Sequence, residues 1–309
     1  MQAKIDVKKT RFKLFYAVLV FLVLLPLSVL ARDIAPVVSG EWLEKNLSSP
    51  DMVIVDIRKV EDYKAGHLPN SVSAFYGSWV AKKNNNTNEL LEPDDLFDLL
   101  CSLGITAKSK VVIVGSVADA GVQCFRTRVA WTLIYAGVKN VALLDGGFEK
   151  WHKDKRAVSN DFRRAEESEY KGELQKDVNL SKEQLLSGLG KAIVVDTRPP
   201  DFFFGVSKAP TVVKAGHIKG AICLPSPGWI LDNEGMMKKE EELAVIAEGV
   251  VGGDHAKEIM TYCNTGVFAS GWWFFLREVL GYKDVKLYDG SMEELAKDPD
   301  APIVKYTWK

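Results

Sequence analysis

Short apolar runs recur along the chain, each bounded by charged or turn-forming residues. Residues 53–55, 111–114, 141–144, 193–195 and 285–287 are of this kind. Runs this short, rich in β-branched residues and without polar alternation, predict strands buried on both faces of a sheet. Between them lie helical patterns, as in PDDLFDLLCSLG (93–104) and SKEQLLSGLG (181–190), each closed by a glycine. Ser181 and Gln184 have the spacing of a capping box. Strands alternating with helices predict an α/β fold, a parallel sheet with helices on both faces.

The pattern occurs twice. MVIVDIR (52–58) resembles AIVVDTR (192–198), and KAGHLPNSV (64–72) resembles KAGHIKGAI (214–222). KVVIVGS (110–116) resembles KEIMTYC (257–263), and GVKNVALLDGGFEKW (137–151) resembles GYKDVKLYDGSMEEL (281–295). The offsets are 140, 150, 147 and 144 residues, in the same order, so two tandem copies of one domain are expected. They are placed at 36–156 and 178–309. The segment between, 157–177, is charged and poorly periodic and reads as a connector.

The first 31 residues differ from the rest. MQAKIDVKKTRFK is basic, and LFYAVLVFLVLLPLSVLA is apolar, with Val29 and Ala31 suited to cleavage before Arg32. This predicts a secretory signal and an extracytoplasmic, for instance periplasmic, protein. The alternative is an uncleaved membrane anchor, since the apolar run approaches the roughly 20 residues that span a bilayer. No cysteine follows the run, which excludes lipoprotein attachment there. The 40 basic and 41 acidic side chains leave a net charge of −1, giving no reason to expect nucleic acid. Four cysteines, at 101, 124, 223 and 263, are too few for a disulfide scaffold, and none has CxxC spacing. Neither a metal site nor a cofactor is expected.

The remaining chemistry centres on YCNTGVFASGWW (262–273). EIMTY predicts a strand and SGWWFFLREVLG (270–281) a helix, so Cys263 falls at the C-terminal edge of a parallel sheet, where such sheets bind ligands. Gly266 permits a tight curl. Main-chain N–H groups of a curled loop form an anion-binding nest, and the following helix adds to the field. A thiol there is expected to be acidified below its free pKa of about 8.5. A persulfide anion on the same sulfur would be held, giving covalent nucleophilic catalysis of sulfur transfer.

The set VVDTR, AGHIKGAI, YCNTGVFA and LYDGSMEEL resembles the successive motifs of tandem-domain rhodaneses, the family that includes thiosulfate and mercaptopyruvate sulfurtransferases. The resemblance covers roughly residues 36 to 309. It implies two rhodanese-like domains, the second catalytic. It implies a loop of Cys263, Asn264, Thr265, Gly266, Val267 and Phe268 that binds the substrate anion, with Cys263 carrying the persulfide. Ser116 takes the cysteine's place in the first copy, which implies an inactive domain. The partners implied are a small sulfur donor (thiosulfate, mercaptopyruvate or a persulfide) and a thiol or cyanide-like acceptor. Asn264 and Thr265 are neutral where thiosulfate-specific members carry cations. Phe202 stands where a donor-binding arginine is common, and Phe268 replaces a usual threonine. These departures imply that thiosulfate is a poor donor.

The remaining polar and sulfur residues read as structural. Cys101, Cys124 and Cys223 are expected to be core or incidental thiols. The duplicated His67 and His217 are expected to anchor turns. Asp56/Arg58 and Asp196/Arg198 are expected to pair at strand ends, with Arg198 also near enough to feel the active-site anion. His255 is expected in solvent, and Trp272 and Trp273 in the core or a domain interface. A cysteine phosphatase or arsenate reductase needs an arginine where Ala269 stands. The alternative from another class is a non-catalytic persulfide carrier or a chalcogen-oxyanion-binding protein.

Overall fold

A computed structural model describes residues 32–308. The basic and apolar N-terminal segment lies outside the described residues. In the first copy the elements are β1 (Val37–Val38), α1 (Gly40–Asn46), β2 (Met52–Asp56), α2 (Val60–Ala65) and β3 (Ser71–Ser73). A hairpin follows, β4 (Ala81–Lys83) and β5 (Asn86–Glu89), then α3 (Pro93–Ser102), β6 (Lys110–Val114), α4 (Ala120–Tyr135), β7 (Asn140–Leu144) and α5 (Gly147–Lys153). The second copy runs β8 (Asn179–Leu180), α6 (Lys182–Gly188), β9 (Ile193–Asp196), α7 (Pro200–Phe204), β10 (His217–Ile218) and β11 (Ile222–Cys223). It continues with α8 (Glu240–Val251), β12 (Ile259–Tyr262), α9 (Ala269–Phe274), β13 (Val285–Tyr288), α10 (Ser291–Leu295) and β14 (Ile303–Val304).

The sheets repeat each other strand for strand. The first has the order β1-β7-β6-β2-β3 and the second β8-β13-β12-β9-β11, with every neighbouring pair parallel. The central strands β6, β7 and β12 are buried on both faces, as their apolar runs require. Val112 and Val114 point into an outer core with Leu43 and Trp151, whereas Val111 and Ile113 point inward. In the second copy Val194, Met260 and Tyr262 face a separate outer core, and Val195 and Ile259 face inward. The inward faces of both sheets meet in one central core, which holds Trp131 from the first copy and Trp272 and Trp273 from the second.

At the middle of that core α4 packs against α9. The hydroxyls of Thr127 and Ser270 meet there at 2.8 Å. Reciprocal bonds flank the contact. Asp289 accepts from the Leu90 N–H at 2.8 Å, and its repeat equivalent Asp145 accepts from the Met237 N–H at 2.8 Å. Ser181 caps α6 with Gln184 in a complete capping box. The helix expected over 270–281 is broken, because α9 passes after Phe274 into a π-turn, Phe275–Val279.

The connector carries no regular element from 157 to 175 but is tied to the first copy. Ser159 and His67 exchange backbone bonds, and the Tyr170 hydroxyl donates to Ala136 O at 2.7 Å. His67 anchors it further, with ring nitrogens 2.8 and 3.1 Å from the carbonyls of Tyr63 and Asp161. His217 lies 2.8 Å from Phe203 O and stacks on that ring. His255 departs from expectation: it is half-buried and stacked on Tyr282 at 4.1 Å, which removes one ring face from water.

Candidate active site

Cys263 follows β12 directly, at the C-terminal edge of the second sheet, and is 1% exposed. The loop behind it reverses at Gly266, whose φ is +75°. A side chain there would strike the Arg128 guanidinium and Asp289. Glycine therefore satisfies two demands at once, the left-handed backbone and the close approach.

The loop amides divide into two sets. Those of Ala269, Thr265 and Phe268 each draw the pKa of the Cys263 thiol down. Those of Cys263 and Gly266 turn the other way and donate to Ser291 Oγ, both at 3.1 Å. Ser291 in turn donates to Tyr288 O at 2.9 Å and holds a left-handed φ of +48°. Two further backbone bonds, Met292 N to Cys263 O and Glu293 N to Asn264 O, fix the loop to the start of α10. The N–H groups that face the sulfur are thus held in place before any charge appears on it.

Burial pushes the Cys263 thiol above its ordinary value, against the opposing pull of those three amides and of Arg198. The expected acidification below the free thiol is therefore corrected. Desolvation of the thiolate outweighs the nest, because the sulfur is enclosed with the central core. Cys124 is likewise pushed up, to about 12, by burial and then by Cys263. Cys223 is pushed up to about 12 by burial. Cys101 accepts from the Tyr170 N–H at 3.3 Å.

Arg198 lies beneath the loop. It is ion-paired with Asp196 at 2.6 Å and donates to Gly216 O at 2.7 Å, while Nη1 reaches Asn264 Oδ1 at 3.4 Å. Arginine only donates, so it fixes which end of the Asn264 amide faces inward. Thr265 is half-buried and Val267 buried. Phe268 is half-buried at the loop's end, and its carbonyl accepts from Ser226 Oγ at 2.7 Å. Phe202, in α7, is half-buried.

The first copy completes the site, and this was not read from the sequence. Arg128, on α4, ion-pairs with Asp289 at 2.5 Å, donates to Asn88 O at 2.6 Å and abuts Gly266. The β4–β5 hairpin reaches across as well: the Thr87 N–H and hydroxyl both donate to Glu293 Oε2, at 2.9 and 2.8 Å. Tyr76 donates to Asn88 Oδ1 at 3.1 Å, and its phenol is pushed up by burial, by Asp289 and by Cys263. The sequence held one signal for part of this. The repeat pairs Gly147 with Ser291, and a serine replacing a glycine at a turn marks a side chain in use.

A family model described as a rhodanese-like domain matches residues 39–154 and again 181–298. The chain belongs to the rhodanese family. It is 31% identical over 277 residues to a Mycolicibacterium smegmatis protein named "Putative thiosulfate sulfurtransferase", covering 86% of this chain and 96% of that one. A Haloferax volcanii protein of the same name is 30% identical, covering 89% and 97%. Among solved structures, that of wild-type EanB aligns with a TM-score of 0.78 at 23% identity, covering 88% of this chain and 69% of that one. The crystal structure of YnjE aligns with a TM-score of 0.77 at 23% identity, covering 87% and 68%. At that identity the two structures bear on the fold. This rhodanese therefore has sulfurtransferases as its sequence relatives. Among its described residues no cluster of three or more His, Cys, Asp or Glu could hold a metal, and no helix is long and apolar enough to cross a membrane.

Proposed function

We propose that this rhodanese moves sulfane sulfur from a small donor to a thiophilic acceptor through a persulfide on Cys263. The Cys263 thiolate attacks the outer sulfur of the donor. The donor's S–S or C–S bond breaks, and sulfite (from thiosulfate), pyruvate as its enolate (from mercaptopyruvate) or the donor's thiolate (from a persulfide) leaves with the electron pair. The new Cys263–S–S⁻ carries its negative charge toward the amides of Thr265, Phe268 and Ala269. An acceptor thiolate or cyanide then attacks the terminal sulfur, and the Cys263 thiolate is the leaving group. The observation that carries the reading is the braced loop that turns at Gly266 behind Cys263, at the C-terminal edge of the second sheet.

The loop also bears on the donor. Asn264 and Thr265 are neutral, and the Arg198 charge is already paired with Asp196. A doubly charged sulfonate donor gains little there, so mercaptopyruvate or a low-molecular-weight persulfide is the better substrate. Steady-state turnover with each donor and cyanide tests this: mercaptopyruvate or persulfide should exceed thiosulfate in kcat/KM, and Cys263→Ser should abolish all three. Equal or higher kcat/KM for thiosulfate would reverse the donor preference.

The burial of Cys263 favours a second reading, a persulfide carrier that hands sulfur to a docked partner. A carrier loads one sulfur and then stalls with free cyanide, whereas an enzyme turns over. The basic and apolar segment before Arg32 further supports placement outside the cytoplasm. An N-terminal sequence beginning at Arg32 in an extracytoplasmic fraction is the expected result, and an intact N-terminus in the cytoplasm would contradict it.

A further inference from the structure

The internal repeat places Tyr76 and Ser226 at the same point of the two copies. The backbone agrees: the Tyr76 N–H donates to Ile57 O at 2.9 Å, and the Ser226 N–H donates to Thr197 O at 3.0 Å. Their side chains diverge. Ser226 stays within its own copy, where Oγ donates to Phe268 O at 2.7 Å and accepts from the Trp272 N–H at 3.3 Å. Tyr76 leads to the same loop from the first copy. Its ring stacks on Phe125 at 3.8 Å, which fixes the direction of the phenol.

The phenol donates to Asn88 Oδ1, in β5, at 3.1 Å. Asn88 holds a left-handed φ of +57°, a conformation that asparagine adopts more readily than most residues. Its carbonyl accepts from Arg128 Nη2 at 2.6 Å, and Nη1 of the same guanidinium pairs with Asp289 Oδ1. Arg128 Nε has no partner among the described residues, so hydrogen bonds hold the guanidinium only at its two terminal nitrogens. Gly266 turns against both members of the pair, and a side chain on it would strike Arg128 Nη1 and Asp289. An unbroken series of contacts thus runs from Tyr76 to the turn of the Cys263 loop. Burial pushes the Tyr76 phenol up, so it stays a neutral donor through the neutral range, and charge on Cys263 adds to that effect.

We propose that Tyr76 is a positioning residue for the Cys263 loop, acting from the first copy through Asn88 and Arg128. Its hydroxyl orients Asn88, the Asn88 carbonyl orients Arg128, and Arg128 bounds the space in which the loop turns at Gly266. A loop fixed in advance stabilises charge on the sulfur without reorganising, and slack in it forfeits part of that gain. The relay gives the first copy, where Ser116 cannot carry sulfur, a part in the chemistry of the second. It rests on the sulfurtransferase reading only in taking Cys263 as the sulfur carrier.

Tyr76→Phe tests the relay, because it deletes the hydroxyl and keeps the ring on Phe125. The first readout needs no donor: the rate of Cys263 alkylation by iodoacetamide as a function of pH, followed by the mass of the peptide that holds it. In Tyr76→Phe the profile should move to higher pH, and the rate at neutral pH should fall about fivefold, the factor that one hydrogen bond supplies. Single-turnover sulfur loading should slow by a similar factor at saturating donor, with the half-saturating donor concentration unchanged. Asn88→Gly keeps the left-handed backbone and the carbonyl but lacks Oδ1, and should reproduce both changes. The double variant should be no slower than either single one. A merely structural hydrogen bond would lower the melting temperature and leave the alkylation profile where it is. An unmoved profile in folded Tyr76→Phe, or losses that add in the double variant, would overturn the proposal. Should Tyr76→Phe not fold, Asn88→Gly carries the same test. If the wild-type protein takes up no sulfur, the sulfurtransferase reading fails, while the alkylation profiles still decide the relay.

Discussion

A thiol that is 1% exposed reacts only after losing its proton in a place that disfavours charge. Because burial raises the Cys263 pKa, the thiolate fraction is small at neutral pH and grows as pH rises. The rate of sulfur loading in single turnover should therefore climb through the neutral range and past about pH 8.5, where a free thiol is half ionised. A plateau reached below neutrality would contradict this. Ser291 is the second residue on which the site turns, since it accepts from both Cys263 and Gly266. Ser291→Ala leaves two buried donors without a partner and should cost about 1–3 kcal/mol of stability. It should also slow loading, because the loop is no longer held; unchanged loading would show that the brace is dispensable. The sequence pointed to Cys263 and its loop through the internal repeat and the family motifs, since a cysteine taken alone is as readily a buried, inert one. It pointed to the opposite sign for the pKa shift. That sign depends on how completely the central core closes over the sulfur, and enclosure is a tertiary property.

At the scale of elements, the Cys263 loop is held by both copies. Arg128, on α4, and Asp289, after β13, form a buried pair against Gly266. Removing one member of such a pair strands the other charge, at a cost of about 3–5 kcal/mol. Asp289→Asn and Arg128→Leu should each cost this much in chemical denaturation and should disorder the loop. A double variant should recover part of the loss, and additive losses would show that the two do not act as a pair. Glu89, at the end of β5, is pushed up to about 7 by burial and then by Asp289. Between about pH 4.3, where an unfolded glutamate ionises, and about 7, the native state binds more protons than the unfolded one. Stability from this group is therefore lost as pH rises across that window. Glu89→Gln should flatten that loss and raise the melting temperature at pH 8; no change would place the carboxyl in water. The strands were legible because runs buried on both faces leave a plain apolar signature. The β4–β5 hairpin was not, since AKKNNNTNE is polar and draws partners from distant parts of the chain, Glu293 and Lys297 of the other copy among them.

At the scale of the molecule, the duplication is visible in the sequence, but its consequence is not. Two similar domains suggest two independent folding units. The described chain from Ile34 onward instead forms one compact unit, and its central core draws on both sheets. Thermal unfolding followed by tryptophan fluorescence and by circular dichroism should then give one coincident transition. Residues 178–309 expressed alone should lack the activity of the full chain, since Arg128 and the hairpin are missing. Two separated transitions, or full activity of the isolated second copy, would contradict this. The account as a whole rests on sulfur carried at a single position, and intact mass spectrometry after exposure to a donor measures that most directly. The wild-type protein should gain the mass of one sulfur atom, lose it on adding cyanide, and show no gain as Cys263→Ser. A gain that survives that substitution, or no gain with thiosulfate, mercaptopyruvate or a small persulfide, would contradict the central claim.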